Sequence, residues 1–503
     1  MSSPPVAAST PLGESVASAP EIRETHTGMV ILVGDRAYKV KKPVVTDFLD
    51  FSTVDRREHA CERELRLNRR LAAHSYLGLA HLTDPLGGAA EPVVVMRRLP
   101  DSARLTSLVR RGELVEGQLT AIALQLATFH RDAVRGNDVD ACAGQSAIRD
   151  RWRENLAELS RHVDAVVPAV VLDEVDRLAM RFIDGRGALF AERIAARRVV
   201  DGHGDLTAED VFCLPEGPAL LDCLEFDDRL RFVDGLDDAA FLAMDLEFLR
   251  RPDLGEYFLE EYRRHAHDAA PSALAHFYVA YRAVVRAKVD CIRNGQHRDG
   301  AAVDARRHLD LALQHLRAGT VRLILVGGGP GTGKTTLARG LSERLGARVI
   351  SSDDVRREMQ AEGRLDGAAG VFGEGLYSPD RVDAVYAVML DRAADLLAAG
   401  RPVILDGTWR DPRHRASAHE LARESHCPSV HLACTLPIDE AMARIASRPA
   451  SASDATPGIA AAMGSAAAMG SDEAAWAEAH PIDTSRPLSH SLAEAQQICC
   501  LAF

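Results

Sequence analysis

Gly328-Gly329-Pro330-Gly331-Thr332-Gly333-Lys334-Thr335-Thr336 sets a glycine-rich turn directly ahead of a lysine and two hydroxyl side chains. The run fits G-x-x-x-x-G-K-[ST], a spacing at which backbone can wrap around phosphate. Glycines let successive N–H groups turn inward. A helix that starts there adds the positive end of its dipole. Lys334 offers a point charge to β- and γ-phosphates, and Thr335 an oxygen for Mg²⁺. The alternative is a plain glycine turn before an ordinary helix, but a β-rich run precedes the motif and a helical run follows it.

Carboxylates follow at the ends of apolar runs. SSDDVRRE at 351–358 ends a strand-like stretch, so Asp353 or Asp354 is placed to take a proton from a hydroxyl and Arg356 to steady phosphate. The competing reading is a helix cap by Ser352 or Asp353. PVILDGTW at 402–409 ends in Asp406, where a carboxylate would hold the water shell of magnesium. Arg444 and Arg448 are four apart on a helical run and share a face. They would close over phosphates or form a solvated basic face.

A second set of residues stands earlier. HGDLTAED at 203–210 supplies Asp205 as a base for an acceptor hydroxyl, and Asp210 five residues on as a metal ligand. Upstream, Ala37-Tyr38-Lys39 puts a lysine on a strand, with Lys41 on the same face as the alternative. Glu64 on the next helical run is its carboxylate partner, with Glu62 as the alternative. ALLDCLEF places Asp222 after a short hairpin as a second metal ligand. Phosphoryl transfer depends on positioning and charge, and these are the parts it needs: a lysine held by a glutamate, a base, and metal ligands.

The elements that must hold these residues are legible. GMVILVGDRAYKVKK at 28–42 reads as a hairpin turning at Gly34-Asp35, 54–73 as a helix, and VVVM at 93–96 as a buried strand. Helical patterns follow at 117–131, 148–162 and 172–186. Val211–Leu214 and Ala219–Asp222 read as two short strands, and 238–316 as helical almost throughout. From about 321 the pattern becomes strand–helix alternation, which predicts a parallel sheet covered on both faces.

Composition bounds the class. Apolar residues are 47% and charged residues 26%, and the net charge is −13 without a basic tail, which argues against a nucleic-acid surface. No 18-residue apolar run predicts a membrane span. The Ser/Pro/Ala-rich start lacks the charge and hydropathy of a secretion signal and is expected to be disordered. Nine scattered cysteines with no CxxC pair fit reduced thiols, and the expected compartment is the cytoplasm.

On GGGPGTGKTT and SSDDVR, residues 321–450 resemble the P-loop kinases of the polynucleotide-kinase, gluconate-kinase and zeta-toxin group. The resemblance implies that the aspartate after the second strand, Asp353 by position, activates the acceptor hydroxyl. On the AYK strand, HGD and the hairpin ending in Asp222, residues 25–315 resemble the aminoglycoside phosphotransferase family, a branch of the protein-kinase-like fold. That resemblance implies that VVVMRRL at 93–99 is the adenine hinge strand and that Asp238 is a structural aspartate. Two departures stand out: the first hairpin has no G-x-G-x-x-G, leaving THTG at 25–28 to cover phosphates, and Asp210 stands where the family carries Asn. The composite resembles actinobacterial bifunctional aminoglycoside phosphotransferase/ATP-binding proteins. The expected organisation is a tail at 1–20, an α+β kinase-like domain at 21–316, and an α/β P-loop domain at 317–503 with a low-complexity lid or linker at 450–472. The expected cofactors are ATP and Mg²⁺. The acceptor implied is an unidentified small molecule, with a ligand-binding pseudokinase or an RNA end kinase as alternatives.

Overall fold

The computed structural model describes residues 20–24, 28–45, 50–83, 87, 90–367, 375–447 and 476–502. Arg448, most of THTG, the tail at 1–19 and the 450–472 segment lie outside them. The chain divides into two compact units, one spanning Met1–Asp132 with His203–Arg231, the other Ala133–Gly202 with Phe232–Phe503.

The first unit is built on a five-stranded antiparallel sheet in the order β1-β2-β3-β5-β4. Its strands are β1 (Glu21–Glu24), β2 (Gly28–Val33), β3 (Arg36–Lys41), β4 (Tyr76–Leu82) and β5 (Glu91–Arg97). The β2–β3 turn is tight because Gly34 takes φ 56°. Helix α1 (Val54–Ala72) starts at Thr53, whose hydroxyl accepts from Arg56 N–H at 3.3 Å. Its buried stripe includes Cys61, Glu64, Leu67, Asn68 and Leu71. Two polar residues one turn apart on that stripe must be satisfied from the rest of the unit. Helices α2 (Leu105–Arg110) and α3 (Glu116–Asp132) complete the layer. A separate hairpin of two short strands, Val211–Leu214 and Gly217–Leu220, follows the HGDLTAED loop. The second strand therefore ends earlier than its sequence pattern predicts. Asp222 lies beyond it at φ 61°, a left-handed conformation that ends the extended run.

The second unit begins with helices α4 (Asn137–Ala141), α5 (Gln145–Ser160), α6 (Ala169–Gly185) and α7 (Gly187–Ala195). The short strands β6 (Val199–Asp201) and, past the hairpin strands β7 and β8 above, β9 (Phe232–Asp234) pair antiparallel. The stretch expected to be almost wholly helical is four helices: α8 (Gly235–Phe248), α9 (Pro252–Ala266), α10 (Ser272–Gly295) and α11 (Ala301–Ala318). Asp238, fully buried on α8, sits against Gly202, where a Cβ would come within 2.6 Å of its carboxylate.

The same unit carries a five-stranded, all-parallel sheet in the order β11-β12-β10-β13-β14. Its strands are β10 (Leu323–Gly327), β11 (Arg348–Ser351), β12 (Val403–Asp406), β13 (Ser429–Thr435) and β14 (His480–Asp483). The central strands are continuous apolar runs because helices cover both faces. The helices are α12 (Lys334–Leu345), α13 (Ser352–Ala361), α14 (Pro379–Ala398), α15 (Pro412–Glu424), α16 (Ile438–Ala446) and α17 (Leu488–Leu501). Strand β14 and helix α17 were not expected, since the low-complexity segment interrupts the periodicity ahead of them. The core joins Ile324, Val326, Leu337, Leu341, Ile404 and Leu432 with Ile482 and Cys499 from these last two elements. The mixed class expected from the pattern, α+β followed by a P-loop α/β sheet, is the architecture present. Among the described residues no helix is long and apolar enough to cross a membrane, and none of the nine cysteines forms a disulfide.

Candidate functional site

Parallel register brings the chemistry of the second unit to one edge. Val326 of β10 and Ser351 of β11 both pair with Asp406 at the end of β12. The turn after β10, the start of α13 and Asp406 therefore meet at the carboxyl ends of the strands, where an open α/β sheet leaves a crevice. A cleft of ≈ 1010 Å³ opens there.

The loop before α12 needs its glycines. Gly328, Gly331 and Gly333 have φ of 138°, 76° and 87°. A Cβ on Gly328 would meet the Cys434 carbonyl at 2.6 Å, and one on Gly331 the Ala441 carbonyl at 2.6 Å. Lys334 Nζ donates to the Gly329 carbonyl at 2.9 Å, folding the lysine over its own loop. Thr335 Oγ1 donates to Asp406 Oδ2 at 2.7 Å. Burial raises the Asp406 carboxyl above its ordinary range, and Lys334 opposes that rise. An alcohol and a carboxylate oxygen in contact suit a hard cation such as Mg²⁺. Thr336 and Pro330 also line the cleft. Thr332 takes no part in lining it: its hydroxyl donates to the Gly329 carbonyl at 2.8 Å and its carbonyl accepts from Thr484 at 2.7 Å.

Asp353 lines the same cleft and accepts from Arg356 Nη1 at 2.8 Å. Asp354, 44% exposed, pairs instead with Arg357. Neither Ser352 nor Asp353 caps α13: the cap is Ser351, with no side-chain bond, because the helix starts directly from the strand end. Arg444 reaches the cleft and donates to the Thr484 carbonyl at 2.9 Å. Its expected partner Arg448 is not among the described residues.

Sequence reasoning passed over the opposite wall. His414 Nε2 lies 2.7 Å from Asp383 Oδ1, and its ring stacks on Tyr386 at 4.1 Å and 6°. The Tyr386 hydroxyl accepts from the N–H groups of Thr408 and Trp409 at 3.1 and 3.2 Å. Arg356 lies over the Tyr377 ring at 4.5 Å. Asp383 and Tyr386 sit on α14, Thr408, Trp409 and His414 in the DGTWRDPRHR stretch, Arg356 on α13, and Tyr377 just before α14. The density of polar and aromatic residues just after a strand-ending aspartate was the available signal.

The first unit holds a different kind of site. Lys39 Nζ lies 2.8 Å from Glu64 Oε1 and 2.5 Å from Asp222 Oδ1. Lys41 Nζ lies 2.8 Å from Glu64 Oε2 and 2.7 Å from Glu225 Oε1. Both candidate lysines thus share Glu64, which is fully buried, whereas Glu62 is 58% exposed and turned away. Burial would raise the Glu64 carboxyl, but the two ammonium groups outweigh it and hold it well below its ordinary range. Lys39 is 21% exposed and Lys41 only 4%, so Lys39 is the more accessible.

Backbone bonds place the aspartates. His203 Nε2 donates to the Leu221 carbonyl at 2.9 Å, and the Leu224 N–H donates to the His203 carbonyl at 3.1 Å. The Leu221 N–H donates to the Asp210 carbonyl at 2.9 Å. Asp210 and Asp222 therefore flank the foot of the β7–β8 hairpin, and Asp205 follows directly on the anchored histidine. Asn68 Oδ1 accepts from the Cys223 N–H at 2.8 Å, tying the Asp222 segment to α1. Thr207 Oγ1 donates to Asp210 Oδ2 at 2.6 Å. Asp210 and Asp222 supply the oxygen donors that Mg²⁺ prefers.

A glycine-lined loop on a parallel sheet makes the C-terminal part of the second unit a P-loop domain, and a family profile described as "AAA domain" matches residues 323–467. The chain belongs to the family of the uncharacterized protein Rv2004c of Mycobacterium tuberculosis (strain ATCC 25618 / H37Rv), with which it is 53% identical over 478 residues, 95% of each chain. Among solved structures, the GDP and kanamycin complex of APH(2")-IIia is 18% identical with a TM-score of 0.38, covering 60% of this chain and 94% of that one. A gluconokinase from Sinorhizobium meliloti 1021 is 15% identical with a TM-score of 0.27, covering 36% and 91%.

Proposed function

We propose that the protein is an ATP- and Mg²⁺-dependent phosphotransferase that moves the γ-phosphoryl group to a hydroxyl of a small molecule, with its chemistry in the P-loop cleft. The observation that carries this reading is the meeting of Lys334, the Thr335–Asp406 pair and Asp353 on one cleft. The loop N–H groups and Lys334 bind the triphosphate. Thr335 and Asp406 would hold Mg²⁺, which when bound neutralises charge on the phosphate oxygens. Asp353 takes the acceptor proton as the acceptor oxygen bonds to the γ-phosphorus. The bond from that phosphorus to the β–γ bridging oxygen breaks, and ADP leaves. Arg356 holds Asp353 in place, and the Tyr377–Tyr386–His414 wall faces the acceptor.

The first unit is a second nucleotide site on this reading, with Lys39 for phosphate, Asp210 and Asp222 for metal, and Asp205 for the acceptor proton. One observation favours a non-catalytic, ligand-binding role instead: Lys39 is already neutralised by Glu64 and Asp222. An acceptor screen of the intact chain with labelled ATP tests both. Turnover lost in Lys334→Ala and kept in Asp205→Ala assigns the chemistry to the P-loop cleft. The converse result assigns it to the first unit, and no labelled product from any hydroxyl acceptor removes the kinase reading.

A further inference from the structure

One ring nitrogen of His414 is engaged and the other is not. Nε2 lies 2.7 Å from Asp383 Oδ1, and a carboxylate can only accept, so Nε2 carries the hydrogen. That bond sets the tautomer and leaves Nδ1 of the neutral ring with its lone pair. Nδ1 has no partner among the described residues and is not sealed from solvent. His414 lines the P-loop cleft, so this lone pair is open to a bound molecule. The orientation of the ring is fixed as well. It stacks on Tyr386 at 4.1 Å and 6°, and the Tyr386 hydroxyl is itself held by the N–H groups of Thr408 and Trp409. A hydrogen-bond acceptor held from two directions, by Asp383 and by Tyr386, is preorganised for a donor on the ligand.

Positive charge on this side of the cleft is already matched. Arg356 pairs with Asp353 at 2.8 Å, and Arg413 lies 2.7 Å from Asp411 and 3.6 Å from Asp383. Arg410 is exposed to water, where a charge contact adds little. The remaining cations belong to the phosphate side. Lys334 rests on the Gly329 carbonyl, and a Cβ on Gly333 would lie 3.7 Å from Arg444 Nη1. A carboxylate or phosphate on the acceptor would have to break an existing ion pair, and it would meet Asp383 and Asp411 as like charges.

We propose, resting on the P-loop cleft as the site of phosphoryl transfer, that His414 selects the acceptor, and that the acceptor is a polyhydroxylated small molecule without a carboxylate or phosphate. One hydroxyl gives its proton to Asp353 and takes the phosphoryl group. A second hydroxyl donates to His414 Nδ1. Asp383 is the positioning residue that keeps Nδ1 an acceptor.

The test incubates the full-length protein and labelled ATP with sugars and sugar alcohols, each paired with its aldonic acid, its phosphate ester and its mono-deoxy analogues. The uncharged members should be labelled in preference to their anionic counterparts. For the best acceptor, one deoxy analogue should show a KM raised about tenfold, the worth of one hydrogen bond. His414→Phe keeps a ring on Tyr386 and loses both nitrogens. It should raise the KM of the full acceptor by the same factor, no longer distinguish that deoxy analogue, and leave the KM for ATP near wild type. His414→Asn returns an oxygen near the Nδ1 position and should recover part of the discrimination. If His414→Phe fails to fold, Asp383→Ala, at a 41% exposed side chain, should blunt the same discrimination by releasing the ring. Labelling confined to acids or phosphate esters, no labelled sugar at all, or a His414→Phe protein that still rejects the deoxy analogue would overturn the assignment and leave the cleft open as a kinase site. Turnover that survives Lys334→Ala would remove the cleft as the kinase site and this assignment with it.

Discussion

The two candidate sites handle positive charge in opposite ways. In the P-loop cleft Lys334 rests on a backbone carbonyl, and no salt bridge to it exists among the described residues. In the first unit every lysine charge is met by carboxylates: Glu64 bridges Lys39 and Lys41, and Asp222 and Glu225 close the other sides. The first arrangement is shaped by glycine backbone and leaves a cation for phosphate. The second is shaped by side-chain ion pairs, and phosphate must displace Asp222 from Lys39 before it gains a full charge. A metal ion on Asp222 and Asp210 is the natural way to release that lysine. Nucleotide binding should therefore depend on Mg²⁺ more steeply in the first unit than in the P-loop cleft.

The strongest lever on this contrast is Asp353→Asn. Loss of a positioned base should lower kcat by about 10²–10⁴-fold while ATP binding by the intact chain stays near wild type. Asp354→Asn, on the exposed side of α13, should change little. Equal losses from the two would place both in a structural role and remove the cleft's base.

Lys334→Ala should cost about 10²–10³-fold in turnover and should weaken ATP binding even without metal. Lys39→Ala should weaken only the metal-dependent component. Isothermal titration with and without Mg²⁺ separates the two, and identical profiles would break the comparison.

Glu64→Ala leaves two buried ammonium groups short of a partner and should destabilise the first unit by about 3–5 kcal/mol. Its pH dependence has a definite sign. The Glu64 carboxyl is lowered from an ordinary 4.5, so its stabilisation is present above that value and is lost as pH falls below it. Acid melts of the wild type should show this loss, and Glu64→Gln should lack it.

The smallest expected effect is Asp210→Asn. It removes one negative charge and keeps an oxygen ligand, so the fold and the Thr207 contact should persist while Mg²⁺ dependence weakens. No change in metal dependence would mean that the HGDLTAED loop holds no metal.

Most elements around the sites were legible because local pattern and tertiary role agree. The β2–β3 hairpin, α1 and the strands β10 to β13 carry their own periodicity and turn residues, and the P-loop carries its own backbone geometry in its glycines. Strand β14 and helix α17 escaped, since a low-complexity stretch breaks the alternation and HPID offers a single buried apolar residue, Ile482, beside a proline. The Asp383–His414–Tyr386 wall escaped for another reason: its members come from α14 and α15, which face each other only after the sheet assembles.

What the sequence determined alone was the type of chemistry: a glycine loop with a lysine, strand-ending aspartates, and a lysine–glutamate–aspartate set in order along the first half. Those features follow from local rules of backbone freedom and hydrophobic period. Only the tertiary structure decided between neighbours. Asp353 faces the cleft and Asp354 the surface because α13 turns by about 100° per residue from a start fixed by the β11–β12 register. Glu64 rather than Glu62 meets the lysines because it lies on the buried stripe of α1. Lys39 and Lys41 both reach it because alternate residues of one strand share a face, and the difference in their roles comes from burial, which no spacing along the chain encodes.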